Sequence, residues 1–289
     1  MADEQRGPLG TPSLSSHWVE GRVLAGFMDR PHVERVAGEW LATLNSDEKA
    51  QFWTQWETAV STAKSLPGLQ TSAALVGNPI SEFQALHDEL LKREEVSKLF
   101  AGAGTTTVRL VDLQNLVAIQ PSVQAVLEAV PKDDHALADY CLPTPKSVPC
   151  EVNVSFTPPI GQVMFLADVP YLNQVNMDVR DGRLTISPGV HINFLQVVDF
   201  QGRAYLTNGY HRAFSLLSAG KNVVPAWVVS GGPPVLNGPE FFNLGYLMSL
   251  KRPPLLQDYL GPIAIGYRRR TRRYGLLMRF EMAPFNVPM

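Results

Sequence analysis

The sequence predicts an α+β protein in which a helical N-terminal region precedes the sheet-forming part. Three observations carry this. Residues 31–100 repeat their apolar side chains at helical spacing. From residue 108 onward the apolar residues come in strand-length bursts separated by turn dipeptides, Asp181-Gly182 being the strongest hairpin signal. Between Asp199 and Val229 the chain reads strand, glycine turn, helix, strand. With 45% hydrophobic and 18% charged residues over 289 positions, there is ample material for a core.

Met1–Ser16 is polar, with Gly, Pro and Ser but no apolar stretch of the kind a secretory signal needs, so residues 1–26 are expected to be a disordered leader. Residues 27–100 then form a helical extension. A first helix from Pro31 to Leu44 carries Val33, Val36, Ala37, Trp40, Leu41 and Leu44 on one face. Asn45-Ser46-Asp47-Glu48 spells a capping box for a second, whose Phe52, Trp53, Trp56, Ala59 and Val60 stripe reads as core packing. Ser81 opens a third helix through Leu86, Leu90 and Leu91 toward Phe100, with His87 expected at its surface or boundary. Ala101–Thr105 is a small-residue linker, and a domain boundary is placed there.

Val108–Ile119 reads as a strand interrupted near Gln114-Asn115, and Pro121–Val130 as a short helix. Residues 131–160 are crowded with prolines and read as irregular, a lid, a partner-binding loop or a decoration. Asp133, Asp134 and His135 within them read as a hydrated turn rather than a metal cluster. Strand bursts follow over Gly161–Val179, and His191–Val198 is the strand entering the central stretch. Gln201-Gly202 turns that strand into Arg203–Thr207. Asn208-Gly209 is a tight turn, the helix starts at Tyr210, and Gly220 is placed to end it. Val223–Val229 is a buried strand whose Pro225 suits only an edge or a bulge. In the C-terminal part, 231–289, Pro239 opens a helix over 239–250 and residues 276–282 form a strand.

A net charge of −2 argues against a globally basic nucleic-acid binder. The charge is uneven, however: residues 261–289 hold six arginines against Glu281, leaving −7 on residues 1–260. Arg268, Arg269, Arg270, Arg272 and Arg273, flanked by Tyr267 and Tyr274, could contact nucleic acid or phosphate, or could guard a strand edge. No apolar run approaches the roughly 20 residues of a membrane span. Cys141 and Cys150 match no common metal spacing and read as reduced thiols of a cytoplasmic protein, with a disulfide or redox pair as the alternative.

The chemistry-bearing stretch is Asn208–Arg212. His211 and Arg212 fall in the first turn of a helix, where free backbone N–H groups and the macrodipole favour anions over cations. Two cation-capable side chains there suggest a phosphate arriving from outside. The bland alternative is that they bond to neighbouring carbonyls and acids.

Asn208-Gly209-Tyr210-His211-Arg212 resembles the signature turn of the ParB/sulfiredoxin superfamily. Sulfiredoxins spell that turn Gly-Gly-Cys-His-Arg, free-serine kinases Asp-Gly-His-His-Arg, and ParB proteins Gly-Glu-Arg-Arg. Val108–Pro121 is similar to the opening strand of that domain, which often closes on Gln-Pro-Arg; here Gln120-Pro121 is followed by Ser122. The resemblance spans 105–230, with 131–190 as an insertion. It implies a mixed sheet with helices and a nucleotide or phosphorylated ligand held by Asn208, Gly209, Tyr210, His211, Arg212 and Gln120. The implied cofactor is ATP, ADP or CTP with magnesium, and the implied activities are phosphoryl transfer or nucleotide hydrolysis. Tyr210 stands where a sulfiredoxin has its thiol, which removes the reductase chemistry. Asp199 and Asp168 are eligible as a base by type only, so no catalytic residue is assigned. A DNA-associated ParB-like protein and a non-catalytic accessory protein of the same fold remain the alternatives.

Overall fold

The structure, a computed structural model, describes residues 18–69, 74–77, 81–124, 129–147, 150–157, 160–167, 175–180, 183–188, 190–236, 241–270 and 274–281. In chain order its first elements are β1 (Trp18–Val23), α1 (Arg30–Leu41), α2 (Ser46–Ser65), β2 (Leu75–Val76), α3 (Ser81–Leu91), α4 (Glu94–Leu99), β3 (Thr105–Asp112), β4 (Val117–Ala118) and β5 (Ser122–Gln124). Then come α5 (Asp134–Cys141), β6 (Lys146–Ser147), β7 (Glu151–Thr157), β8 (Ile160–Ala167), β9 (Val175–Arg180), β10 (Arg183–Pro188) and β11 (Val190–His191). The chain ends with β12 (Gln196–Phe200), β13 (Arg203–Asn208), α6 (Tyr210–Ser218), β14 (Val223–Ser230), α7 (Leu244–Ser249), β15 (Ile265–Arg270) and β16 (Tyr274–Glu281). It divides into two compact units, one of Val19–Pro145 with Ile192–Arg269, the other of Met1–Trp18, Lys146–His191 and Arg270–Met289.

The larger unit is α+β and is built on a mixed sheet in the order β2-β3-β14-β12-β13-β4. β12 runs parallel to β14, and β13 parallel to β4, while the β12–β13 and β14–β3 pairs are antiparallel. The β12–β13 hairpin turns on Gln201 and Gly202, both at positive φ (51° and 72°), the geometry a two-residue hairpin demands. It sets Phe200 opposite Arg203 and Asp199 opposite Ala204. Helices cover both faces. Val108, Val198, Trp227 and Val229 face a core completed by Leu90, Val96, Phe100 and Leu142 from α3, α4 and the end of α5. Val197, Ala204, Leu206, Ala226 and Val228 belong to the second core, with Ala213, Leu216 and Leu217 of α6. Burial on two sides explains why β14 is a continuous apolar run rather than an alternation.

Local signals set several boundaries. Asn45 accepts from the Glu48 N–H (2.9 Å) while Glu48 returns a bond to the Asn45 N–H (2.8 Å), completing the capping box of α2. Trp40, Phe52, Trp53 and Trp56 make successive edge-to-face contacts, so the aromatic stripe is packing. α6 ends in a Schellman motif: Lys221 N–H reaches Leu216 O, Gly220 N–H reaches Leu217 O, and Gly220 has φ +78°.

Elsewhere long-range packing overrides the local reading. Trp18–Val23, expected inside a disordered leader, is a strand, because β1 pairs with β5 and shares a three-stranded sheet with β15. Ser122–Gln124, expected to begin a helix, is that partner strand β5, with Val123 1% exposed. Residues 134–141, expected to be irregular, form α5, capped by Asp133 through the Ala136 N–H. Pro225 lies in a central strand, not at an edge. Trp227 donates to Leu195 O on the β12 side. Pro225 shares that orientation but precedes the start of β12, which begins opposite Trp227, so no β12 residue is registered against it. His87 is 5% exposed, not superficial: it stacks on Trp227 (4.6 Å between rings), bonds Thr106 through Nε2 and Asp88 through Nδ1. β12 begins at Gln196, with residues 192–195 outside any strand, and α7 begins at Leu244 under an Asn243 cap. Pro239 lies outside the described residues.

The smaller unit contains the antiparallel sheet β16-β8-β7 and the pairs β9–β10 and β6–β11. The β9–β10 register sets Arg180 opposite Arg183, the hairpin expected from Asp181-Gly182, which itself lies outside the described residues. Among the described residues no helix is long and apolar enough to cross a membrane.

Candidate functional site

The start of α6 is shaped by Gly209. Its backbone is left-handed (φ 83°, ψ 25°), and a Cβ there would stand 2.5 Å from Phe194 O and 2.7 Å from Leu195 Cδ2. Glycine is thus required twice, for the turn and for the close approach of the segment that enters β12. Asn208 Oδ1 accepts from the Gly209 N–H (2.8 Å), and no side chain caps α6. Tyr210 turns its hydroxyl back to Thr207 O (2.5 Å).

The two cation-capable residues then part company. Arg212 is 3% exposed and points into the protein. Its Nη1 donates to Tyr140 O and to Asn193 O (the latter 2.6 Å), and its guanidinium lies over the Tyr140 ring, 4.2 Å from the centroid. Tyr140 is in the last turn of α5, where the helix dipole favours a cation. The arginine expected to meet an external phosphate instead holds α5 and the segment before β12 against α6.

His211 is partly buried, and its Nδ1 accepts from the Gln124 backbone N–H (3.1 Å). Burial, and then the nearby Arg269 guanidinium, push its pKa down to about 4. The ring is neutral at pH 7, and since Nδ1 is an acceptor the proton sits on Nε2. Arg269 itself is exposed on β15 and makes no ion pair among the described residues.

The other predicted residues distribute unevenly. Gln120 lies in the link between β4 and β5; its Oε1 is buried without a hydrogen-bond partner, and its carbonyl accepts from the Tyr259 hydroxyl. Arg268 pairs with Glu20 (2.9 Å), and Arg270 lies over the Trp18 ring at 5.1 Å. Arg272, Arg273 and Asp168 lie outside the described residues. Tyr267 is 3% exposed, so it is core and cannot serve as a base-stacking platform beside the arginines. Cys141 is buried and its thiol pushed up to about 12, mainly by that burial, which makes it unreactive at neutral pH. Both cysteines are free thiols.

Tyr259 is the residue that motif reading missed. It is 1% exposed, packs edge-on against Phe214 of α6 at 5.9 Å, and its hydroxyl is held neutral by burial and then by its neighbour Tyr210. It therefore joins Gln120 to α6. Its own turn, residues 256–260, is locked by Asp258, whose carboxylate takes both Arg252 Nη1 and Nη2 (2.6 and 2.7 Å) and the Leu255 N–H (2.7 Å). This pair is almost wholly buried.

The arrangement offers a glycine-led helix start, a neutral imidazole and an exposed guanidinium, Arg269, that makes no ion pair among the described residues. Among its described residues there is no activated nucleophile. Comparison with family models, with curated proteins and with solved structures finds no match to this chain.

Proposed function

We propose that this chain is a phosphate- or nucleotide-binding protein of the ParB/sulfiredoxin kind, with the ligand's phosphate received at the start of α6. The observation that carries the reading is the left-handed Gly209 start of α6, with no side-chain cap and with His211 in its first turn; exposed Arg269 lies in the surrounding field. The guanidinium is near enough to lower the proton affinity of the imidazole, is exposed, and makes no ion pair among the described residues. A phosphate there would be met by the positive end of the helix, by Arg269 and by the Nε2–H of His211. Asn208 and Gly209 shape the turn, Gln120 braces α6 through Tyr259, Tyr210 bonds back to Thr207, and Arg212 is a structural post rather than a ligand contact. The reading is one of binding; phosphoryl transfer would further need a base and a magnesium site.

A second reading, a non-catalytic accessory protein of the same fold, is favoured by one observation: the Arg212 guanidinium bonds to two carbonyls of its own chain.

A thermal-shift series with ATP, ADP, CTP and GTP, each with and without magnesium, separates the two. Under the binding reading one nucleotide raises the Tm of the wild type and fails to do so in Arg269→Gln, whose own Tm is unchanged. No shift with any nucleotide would leave the accessory reading.

A further inference from the structure

A separate cavity of about 640 Å³ opens on the larger unit, between the start of α1, the side of α2 and the segment leading into α7. Its volume falls in the range of small-molecule sites, and its walls are chemically divided. Trp56, Val60 and Lys64 recur every fourth residue along α2 and so present one face to it. Phe242 and Tyr246 supply aromatic surface opposite.

The polar ends of these aromatics are already engaged. Trp56 Nε1 donates to Met28 O (3.1 Å) and the Tyr246 hydroxyl to Phe27 O (2.9 Å), fixing both rings against the 27–28 backbone. Phe242 is pinned by its N–H to Ile119 O (2.8 Å) and by an edge contact with His32. The apolar wall is thus preorganised, which lowers the ordering cost of binding.

Two cations line the same cavity. Arg35 of α1 and Lys64 of α2 are exposed, and neither makes an ion pair among the described residues. The acid present, Asp29, caps α1 by accepting the His32 N–H (2.9 Å). His32 also lines the cavity, and its Nε2 is shut off from solvent without a hydrogen-bond partner.

We propose that this cavity binds a small organic anion with an aromatic body, an aryl carboxylate or sulfonate in chemical class. The ring packs against Trp56 and Tyr246, and the anionic group is met by Arg35 and Lys64. None of its lining residues belongs to the turn at Gly209, although Phe241 in its wall meets the Tyr210 ring at 6.0 Å.

Two fluorescent probes of matched shape test it, 8-anilinonaphthalene-1-sulfonate and the uncharged N-phenyl-1-naphthylamine. The folded wild type binds the sulfonate saturably at one site. Arg35→Gln/Lys64→Gln weakens the sulfonate roughly tenfold and leaves the neutral probe within about twofold, as expected if the two cations act on the anion alone. Val60→Trp, which fills the cavity, removes both probes. Retention of both probes in Val60→Trp, or an unchanged sulfonate affinity in the double variant, overturns the proposal. Should Val60→Trp lose its cooperative melt, the double variant decides alone, since both its side chains are on the surface.

Discussion

The Arg212 guanidinium lies 4.2 Å above the centre of the Tyr140 ring and donates to the carbonyl of the same residue. A charge placed at the unfavourable end of α6 is thereby transferred to the favourable end of α5. Removing it would take the guanidinium from the buried carbonyl of Tyr140 and the partly buried one of Asn193, at about 1–3 kcal/mol for each group left unsatisfied. Arg212→Met is therefore expected to cost about 3 kcal/mol, read as a lowered urea midpoint without any ligand. A surface phosphate contact would behave oppositely, with ligand-free stability unchanged.

Gly209 and Gly220 flank the same helix and separate two kinds of glycine requirement. Both are left-handed, but a Cβ at Gly220 meets nothing within 4 Å, whereas at Gly209 it strikes Phe194 O at 2.5 Å. Gly220→Ala carries only the conformational cost, about 1–2 kcal/mol. Gly209→Ala adds an overpacking cost of roughly 1–3 kcal/mol. Denaturation of the two variants should place Gly209→Ala clearly lower, and equal losses would show that the backbone approach is unimportant.

These residues also mark how far the sequence can be read. The capping box at Asn45, the hairpin at Gln201-Gly202 and the stop at Gly220 rest on contacts a few residues long, and each was legible. Ser122–Gln124 is a strand only because β1 lies beside it, and Pro225 is tolerated centrally only because β12 starts late; neither condition is local. The site divides in the same way. The turn at Gly209 could be found from its dipeptide. But the partners of Arg212 lie 72 and 19 residues away, and the Tyr259 hydroxyl reaches a carbonyl 139 residues away. No periodicity encodes such pairings, so Arg212 read as a ligand contact and Tyr259 did not register at all.

His211 makes stability depend on pH. Its folded pKa of about 4 lies below the ordinary 6.5, so in the window between them the unfolded chain takes up a proton that the folded one refuses. The contribution is complete above pH 6.5 and is lost as pH falls toward 4, in all roughly 3 kcal/mol at 1.36 kcal/mol per unit. His211→Asn keeps an acceptor for the Gln124 N–H but cannot titrate. Its unfolding free energy should fall less steeply between pH 6.5 and 4.5 than that of the wild type. Burial also lowers the pKa of His32, which is present in both proteins and cancels from the comparison. Identical slopes would remove His211 from the account.

The Arg252–Asp258 pair tests whether the turn carrying Tyr259 supports α6 from below. Both charges are largely out of water and doubly bonded, and Asp258 also takes the Leu255 N–H. Breaking one side of such a pair leaves the other charge buried, at about 3–5 kcal/mol, while removing both can cost far less. Asp258→Asn is thus expected to destabilise the protein by at least about 3 kcal/mol. Adding Arg252→Met should restore part of that loss, because the stranded guanidinium is gone. A double-mutant cycle in urea measures the coupling. Purely additive losses would mean that the pair contributes through packing alone. Because Tyr259 follows Asp258 directly and contacts Phe214, Asp258→Asn should also speed hydrogen exchange in α6 relative to α2, tying a buried ion pair to the rigidity of the proposed phosphate turn.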